Sequence, residues 1–219
     1  VNFDAALSYF PRTGFVAGNP VRPEFFPARN EEANDRFTQP HGAARVLIFG
    51  GSQGAHAINV AMVEAATRLA ATGIRLAITH QTGERDVDLV RDAYERAGVP
   101  ARVEAFIYEM HREMKAADVV VARSGATTLA ELAASATPSI LVPLPNSTDD
   151  HQRKNAEVFA SSGAAVVLEE RDLKATLGDA LASMLASGER RRGMSQAART
   201  LARYSLKRTF ATSPIPPPP

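Results

Sequence analysis

The amino-acid sequence predicts an α/β protein in which helices cover both faces of a parallel sheet. From residue 45 onward, short β-rich apolar runs alternate with longer segments of helical period. That cadence is typical of a parallel sheet, because each connection between parallel strands needs a crossover, usually a helix. The chain has 219 residues, 45% of them hydrophobic, and is long enough to bury a large core.

Six strands and six helices are predicted in this alternating region. The predicted strands are Arg45–Phe49, Arg75–Thr79, Ala101–Phe106, Asp118–Ala122, Ser139–Val142 and Ala164–Leu168. The predicted helices cover residues 53–72, 86–97, 126–136, 150–161, 172–186 and 189–205. This alternation predicts a Rossmann-like parallel sheet. We expect its crossovers to be right-handed, as connections between parallel strands almost always are.

Both ends of the chain differ from this pattern. Residues 17–42 contain four prolines and no sustained period, which is typical of a linker and an irregular approach to the first strand. Residues 206–219 form a Pro-rich tail that we expect to be disordered. The chain begins at Val1 without a Met, so we expect it to be a piece of a longer protein.

Composition argues against several classes of function. The net charge of +1 favours neither nucleic acid nor an anionic membrane as a partner. The basic segment 189–204 is interpreted as the solvated face of a helix rather than a functional basic patch, because apolar residues recur in it at helical spacing. Without cysteine there is no disulfide or thiolate chemistry. The five scattered histidines form no metal motif, so no metal or cofactor is predicted.

A first glycine turn, in "VLIFGGSQGAHAIN" at 46–59, ends the first predicted strand. In doubly wound sheets, ligands lie beyond the carboxyl ends of the strands. We expect a helix to begin near Gln53, so that its free amides and Ser52 would attract a phosphate or diphosphate. The alternative interpretation is a tight strand-to-helix turn with a good cap, and this stretch alone leaves both open.

A second turn, Arg123-Ser124-Gly125, repeats this architecture at the end of the "DVVVA" strand. Glu131 follows on the helix face that carries Thr127 and Thr128, where a carboxylate could accept both hydroxyls of a ribose. The alternative is an ordinary surface glutamate, and the segment alone favours that alternative. Arg123 is suited either to a phosphate or to a structural ion pair.

A third, polar loop follows the strand predicted at 139–142 and carries acids and carboxamides. Carboxamides and short acids bind sugar hydroxyls well, because together they offer donors and acceptors. Three loops at one edge, which supply binders for an anion, a diol and hydroxyls, indicate a nucleotide-sugar. The candidates in the third loop are Asp149, Asp150, His151, Gln152 and Asn155.

Five motifs together resemble the carboxyl-terminal half of the MurG-type glycosyltransferases, over roughly residues 1–205. They are "GNPVR" at 18–22, "GGSQGA" at 50–55, Phe106-Ile107 followed by Met110, "RSGATTLAEL" at 123–132 and "DDHQRKNA" at 149–156. Their order and spacing agree with the family. One departure is His56, which stands where family members commonly have Arg.

The resemblance implies one half of a GT-B enzyme, in which two Rossmann-like domains enclose a cleft. Residues 1–44 would be the end of the amino-terminal domain and the interdomain linker, and residues 45–205 the UDP-GlcNAc-binding domain. The diphosphate would meet the first glycine turn and Arg22, the uracil Phe106 and the Ile107 backbone, and the ribose Glu131. The residues implied to bind the donor are Arg22, Gly51, Ser52, Gln53, Gly54, Phe106, Ile107, Met110, Arg123, Ser124, Gly125, Ala126, Thr127, Thr128, Leu129, Ala130, Glu131, His151, Gln152 and Asn155.

The activity implied by the resemblance is transfer of GlcNAc, with inversion, from UDP-GlcNAc to lipid-linked N-acetylmuramyl-pentapeptide, which converts lipid I to lipid II in peptidoglycan biosynthesis. The general base and the contact with the lipid-linked acceptor would lie in the amino-terminal domain, so no catalytic residue is assigned here. We expect a donor-binding fragment without turnover of its own. The intact enzyme would be a peripheral protein on the cytoplasmic face of the bacterial inner membrane.

Two other functions stay open. The chain could be the donor-binding half of a split UDP-GlcNAc transferase, but the interdomain "GNPVR" segment argues against a stand-alone half. It could also be a non-catalytic UDP-sugar-binding module. Against that, the Gln152 and Asn155 pattern on the sugar side is more than a UDP sensor requires.

Overall fold

The computed structural model describes residues 18–27, 37, 42–51, 53–147 and 150–202, and its sheet has six strands, all parallel. The predictions for Ser52, for Asp149, for the first seventeen residues and for the tail at 206–219 lie outside the described residues. The strands are β1 Ala44–Phe49, β2 Leu76–Gln81, β3 Ala101–Glu104, β4 Val119–Ala122, β5 Ser139–Leu141 and β6 Ala165–Val167.

The strands lie in the order β3-β2-β1-β4-β5-β6, which is the Rossmann order. From β1 the chain proceeds outward through β2 to β3, and from β4 it proceeds outward on the other side to β6. The predicted Rossmann-like fold and all six predicted strands are confirmed, with their ends shifted by at most two residues.

Seven helices are described, and they connect or follow the strands. They are α1 His56–Ala71, α2 Val87–Arg96, α3 Met110–Ala116, α4 Ala126–Ser135, α5 His151–Ser161, α6 Leu173–Ala186 and α7 Gly188–Leu201. Six were predicted, but α3 was not, because its seven residues bury only Met114 and show no sustained period.

Two hydrophobic clusters lie on opposite faces of the sheet. Val46 and Ile48 of β1 point into the cluster formed with α1, α2 and α6, whereas Leu47 and Phe49 point into the cluster formed with α3, α4, α5 and α7. The central β4 reads Val-Val-Val-Ala and is buried throughout, as expected of a strand covered on both faces. Within the described ranges, no helix has both the length and the apolar character needed to cross a bilayer.

The basic segment forms α7, and its solvated-face interpretation holds for most of it. Met194 and Ala198 are buried, whereas Arg190 and Arg199 are exposed. Arg191 differs, because its guanidinium donates to the carbonyls of Met184 and Leu185 and so satisfies the end of α6.

The segment before the sheet is anchored beside α3 and α4. A short 3-10 turn at Pro23–Phe25 contacts both helices, and Phe25 is completely buried in the cluster they share. Asn19 Nδ2 donates to Thr127 Oγ1 at 3.3 Å at the start of α4. Residues 18–27 therefore lie close to the carboxyl ends of the central strands.

Candidate functional site

The candidate site is the crevice where the strand order changes direction. β1 and β4 are adjacent, with Phe49 paired to Ala122 at their carboxyl ends. Because the chain leaves β1 towards β2 and leaves β4 towards β5, the two following loops diverge and open a crevice, which is the usual ligand site of such sheets. The structure thus brings the two predicted glycine turns to the two sides of one crevice.

The loop after β1 depends on its glycines for its shape. Gly51 and Gly54 have φ angles of +89° and +76°, a region that L-residues with side chains rarely adopt. The Gly54 N–H donates to the Gly51 carbonyl at 3.1 Å and closes a turn. A Cβ on Gly54 would lie 1.8 Å from the Thr82 carbonyl oxygen, so this loop sits directly on the backbone that follows β2.

The predicted start of the first helix near Gln53 is wrong, because α1 begins at His56. The glycine turn extends further than expected, and the capping position is taken by Ala55, which offers no side-chain cap. The first-turn amides of α1 have no partner within the helix and carry the positive end of its dipole. They lie at the crevice, so the structure has the tight turn, and anion binding at it stays a prediction.

The second turn connects β4 to α5 as well as to α4. Ser124 is fully buried, and its hydroxyl donates to the Gln152 carbonyl at 2.7 Å. Asn155 Nδ2 donates to the Ser124 carbonyl at 3.2 Å. The Ser124 hydroxyl is therefore occupied within the protein, which leaves the backbone around Gly125 at the start of α4 as the ligand-binding candidate.

Of the two interpretations of Arg123, the structure has the ion pair. Its guanidinium pairs with Glu170 and also donates to the carbonyls of Val142 and Pro143, both at 3.2 Å. Only 12% of the Arg123 side chain is exposed. These contacts join the loops after β4, β5 and β6, so Arg123 orders the edge of the crevice, and its contact with a phosphate stays a prediction.

Glu131 lies half-buried on α4, on the helix face of Thr127 and Thr128, as predicted. Burial raises its pKa to about 7, although the nearby positive charge of Arg22 opposes that shift. Leu129 and Ala130, which were expected to line the nucleotide, are buried instead. Glu131 is thus a partly dehydrated carboxyl group that hydroxyl donors would stabilise in its ionised form.

Arg22 is placed by the segment that precedes the sheet. Its guanidinium carbon lies 5.1 Å from the ring centroid of Phe25, and its charge acts on Glu131. The structure therefore places Arg22 on the α4 side of the crevice. Its predicted contact with a diphosphate stays a prediction.

The carboxamides of α5 hold the third loop in place. Gln152 Oε1 accepts from the Leu144 N–H at 3.1 Å, and the backbone N–H of Gln152 donates to Ser147 Oγ at 3.3 Å. Asp150, which precedes α5, has a φ of +54°, and His151 is exposed at the first turn of the helix. The Gln152 amide nitrogen and the Asn155 amide oxygen are the carboxamide atoms not used in these bonds, so each side chain retains capacity for a hydroxyl.

The loop after β3 presents aromatic rings beside a buried backbone. Phe106 and Tyr108 are 44% and 81% exposed, and their rings meet edge to face with centroids 5.0 Å apart. Ile107 is buried, and its N–H donates to Gln81 Oε1 at 2.8 Å, so one of its two backbone groups is occupied within the protein. The carbonyl of Ile107 is the backbone group left to face a base, and Met110 follows at the start of α3.

Sequence reasoning missed the polar groups at the end of β2. Gln81 is almost fully buried, and it connects the loops after β1 and β3 by donating to the Gly51 carbonyl at 3.0 Å. The signal was the run "THQTG" at 79–83, which places polar residues at the end of an otherwise apolar strand.

A buried polar network holds the backbone that follows β2. Asn59 donates to the Thr82 carbonyl at 3.1 Å and to Asp86 Oδ2 at 2.8 Å, and its own oxygen lies 3.1 Å from His80 Nε2. Burial lowers the pKa of His80 to about 3, against the attraction of Asp86, so this imidazole is neutral at physiological pH. His56 lies 2.9 Å from Asp86 and takes part in the network from the first turn of α1.

In the part of the chain that the structure describes, no group of three or more His, Asp or Glu side chains is placed to hold a metal ion. The ionisable groups of the crevice are instead paired with protein partners or, like Glu131, half-buried.

Comparison with known proteins identifies the family. Residues 45–210 match the model of the glycosyltransferase family 28 C-terminal domain. The chain is 45% identical over 196 residues to a UDP-N-acetylglucosamine--N-acetylmuramyl-(pentapeptide) pyrophosphoryl-undecaprenol N-acetylglucosamine transferase of Anaeromyxobacter dehalogenans, covering 89% of this chain and 50% of that protein. A protein of the same name from Geobacter metallireducens is 40% identical over 210 residues, covering 93% and 56%.

A solved structure agrees with these relatives. The crystal structure of MurG from Acinetobacter baumannii superposes with a TM-score of 0.72 at 29% identity, covering 91% of this chain and 59% of that one. The likeness confirms the predicted fold class, a Rossmann-like domain of the kind found in GT-B glycosyltransferases. The chain spans about half the length of the curated relatives it matches. It belongs to the glycosyltransferase family 28 C-terminal domain family.

Proposed function

We propose that this chain is the donor-binding part of an inverting hexosyltransferase that transfers GlcNAc from UDP-GlcNAc to lipid-linked N-acetylmuramyl-pentapeptide, converting lipid I to lipid II. The observation that carries the proposal is the crevice between the loops after β1 and β4. It has the amino terminus of α1 on one side and half-buried Glu131 on the other. The names of the relatives identify the sugar donor and the acceptor.

The geometry supports an orientation of the donor across the crevice. The diphosphate would meet the glycine turn and the first amides of α1, where backbone N–H groups and the helix dipole favour negative charge. The ribose would donate to Glu131, and the base would lie against Phe106 and the Ile107 carbonyl. The sugar would then lie towards α5, where His151, Gln152 and Asn155 begin the helix.

The rest of the reaction is proposed to need a second domain. Residues 45–205 would form the donor domain, and residues 1–44 the end of an amino-terminal domain and the linker. That domain would supply the general base and the lipid-linked acceptor at the cytoplasmic face of the inner membrane. No described residue beside the crevice is assigned as the base, so the chain by itself would bind the donor without transferring it.

Calorimetric titration with UDP, UDP-GlcNAc and ADP tests the nucleotide site. We expect UDP and UDP-GlcNAc to bind, and ADP to bind at least about tenfold more weakly. Glu131→Ala is expected to weaken UDP binding about tenfold or more, because hydrogen bonds to a charged carboxylate are lost. Glu95→Ala, at an exposed position on α2, is the matched control and should leave the affinity unchanged.

The chain supplied with UDP-GlcNAc and lipid I is expected to form no lipid II.

Equal affinities for ADP and UDP would contradict the proposed base recognition. A wild-type chain that binds neither UDP nor UDP-GlcNAc would contradict the donor site itself.

A further inference from the structure

Gln81 is a buried carboxamide with both ends engaged. It is the last residue of β2, is 2% exposed, and has Phe49 of β1 as its partner in the sheet. Its Nε2 donates to the Gly51 carbonyl at 3.0 Å, and its Oε1 accepts from the Ile107 N–H at 2.8 Å. One side chain thus connects the backbones of two loops that leave different strands.

These two loops have different roles in the proposed function, on which this inference rests. Residues 50–55, the diphosphate loop, would meet the diphosphate of the donor. Residues 105–109, the base loop, would meet the uracil through Phe106 and the Ile107 carbonyl. A nucleoside diphosphate that binds both loops needs them at a fixed separation, whereas a ligand that touches only one does not.

We propose that Gln81 is a positioning residue that sets the separation of the diphosphate loop and the base loop, and thereby favours a ligand that spans both. The Gln81 side chain would act through these two loops without touching the ligand. By engaging the Ile107 N–H it also leaves the Ile107 carbonyl as the backbone group that faces a base, so that the base loop presents an acceptor.

The chemistry of the side chain fits this role. A carboxamide carries a donor and an acceptor at one end of a short stem, which matches a carbonyl on one loop and an N–H on the other. Glutamate at this position would accept but not donate to Gly51, and methionine would fill the space without either bond. The bond to the Ile107 N–H is buried and the bond to the Gly51 carbonyl is partly buried, so removing the carboxamide leaves both backbone groups without this partner.

A second link between these loops runs through the backbone after β2. The Thr82 N–H donates to the Glu104 carbonyl, the Gly83 N–H donates to the Ala105 carbonyl, and Gly54 packs on Thr82. This backbone link keeps the loops attached to the sheet when Gln81 is replaced. A Gln81→Met variant therefore changes the separation of the loops without removing them from the fold.

The link is tested first in the ligand-free chain by amide hydrogen exchange. Gln81→Met is expected to raise exchange at Ile107 and in residues 50–55 together. The control is Thr137→Val, which removes a buried bond from Thr137 Oγ1 to the Met114 carbonyl before β5 and so at the opposite edge of the sheet. It should leave exchange in both loops unchanged.

The function of the link is tested by titration with UDP, uridine and inorganic pyrophosphate. Gln81→Met is expected to weaken UDP about tenfold and to weaken uridine and pyrophosphate less than about threefold each, because each fragment touches one loop. Thr137→Val should leave all three affinities unchanged. A general loss of structure in Gln81→Met would lower its three affinities by one common factor. Thermal unfolding of both variants shows whether Gln81→Met is destabilised more than Thr137→Val.

Three results would overturn the proposal. They are unchanged exchange at Ile107 in Gln81→Met, an unchanged affinity for UDP, and an equal fall in affinity for UDP and uridine. A wild-type chain that binds no UDP would instead overturn the proposed function, and the exchange measurement would still decide whether Gln81 connects the loops.

Discussion

Glu131 combines partial burial with a neighbouring positive charge, and the two act on it in opposite directions. Burial disfavours the carboxylate and outweighs the attraction of Arg22, so the pKa of Glu131 rises to about 7. The group is therefore only partly ionised near neutral pH when no ligand is bound. Hydroxyl donors from a ribose would hydrogen-bond to the ionised form and favour it.

The affinity for UDP-GlcNAc is accordingly expected to rise with pH as Glu131 ionises. Between pH 6 and pH 8 the ionised fraction increases severalfold, so the affinity should increase by up to about tenfold and level off above the pKa of Glu131. UDP-GlcNAc is the right probe because its diphosphate is a diester with no ionisation in that range. Calorimetry at several pH values provides the measurement.

Glu131→Gln is the control for this profile, because a neutral carboxamide cannot titrate. It should bind UDP-GlcNAc with an affinity that is nearly independent of pH. A variant that retains the full pH dependence would assign it to another group.

Arg123 illustrates a role that sequence could not decide. Its partner Glu170 lies 47 residues away, so the choice between a phosphate and an ion pair depended on a long-range contact. The same limit applies to Ile107, whose N–H is taken by Gln81 from a neighbouring strand. The residue types indicated hydrogen-bonding capacity, and only the fold determined which partners used it.

Arg123→Leu is expected to lower the free energy of unfolding by about 3 kcal/mol, because Glu170 is left partly buried without its partner. Arg171→Leu removes an exposed pair with Asp172 and should change the free energy of unfolding by less than about 0.5 kcal/mol. Denaturant unfolding measures both. Equal stabilities of the two variants would contradict the structural role given to Arg123.

At the scale of elements, strands were predicted better than the boundaries that shape the site. All six strands were found, because short β-rich apolar runs identify buried strands even where they are only three residues long. The start of α1 was predicted three residues early, because the sequence does not show that Gly54 must adopt a positive φ against Thr82. The two turns of α3 were missed for lack of a sustained period.

Gly54→Ala is expected to destabilise the fold by about 3 kcal/mol, from the positive φ and the clash of its Cβ with the Thr82 carbonyl. Gly73→Ala is a matched control, since Gly73 also has a positive φ, of +84°, but its Cβ would meet open space. It should cost about 1 kcal/mol. Thermal unfolding compares the two variants. A Gly54→Ala variant as stable as Gly73→Ala would contradict the close contact between the loop after β1 and the backbone after β2.

At the scale of the whole molecule, the alternation of strands and helices predicted the architecture and, with it, the edge where ligands bind. Strand order placed the two glycine turns on either side of one crevice, which neither turn indicated alone. The position of Arg22 and Asn19 beside α4 could not be predicted in the same way, because their segment has no period. The segment is held by the burial of Phe25 against α3 and α4 and by the hydrogen bond from Asn19 to Thr127.

In the proposed function, a uridine nucleotide-sugar binds across this crevice, between the loops after β1, β3 and β4. A titration of the isotopically labelled chain with UDP-GlcNAc, monitored through the NMR shifts of assigned backbone amides, tests this binding mode. We expect saturable shifts to cluster in residues 50–58, 105–110 and 123–131, and the amides of α2 and α7 to stay unaffected. Shifts concentrated elsewhere on the sheet, or no saturable shifts at all, would contradict it.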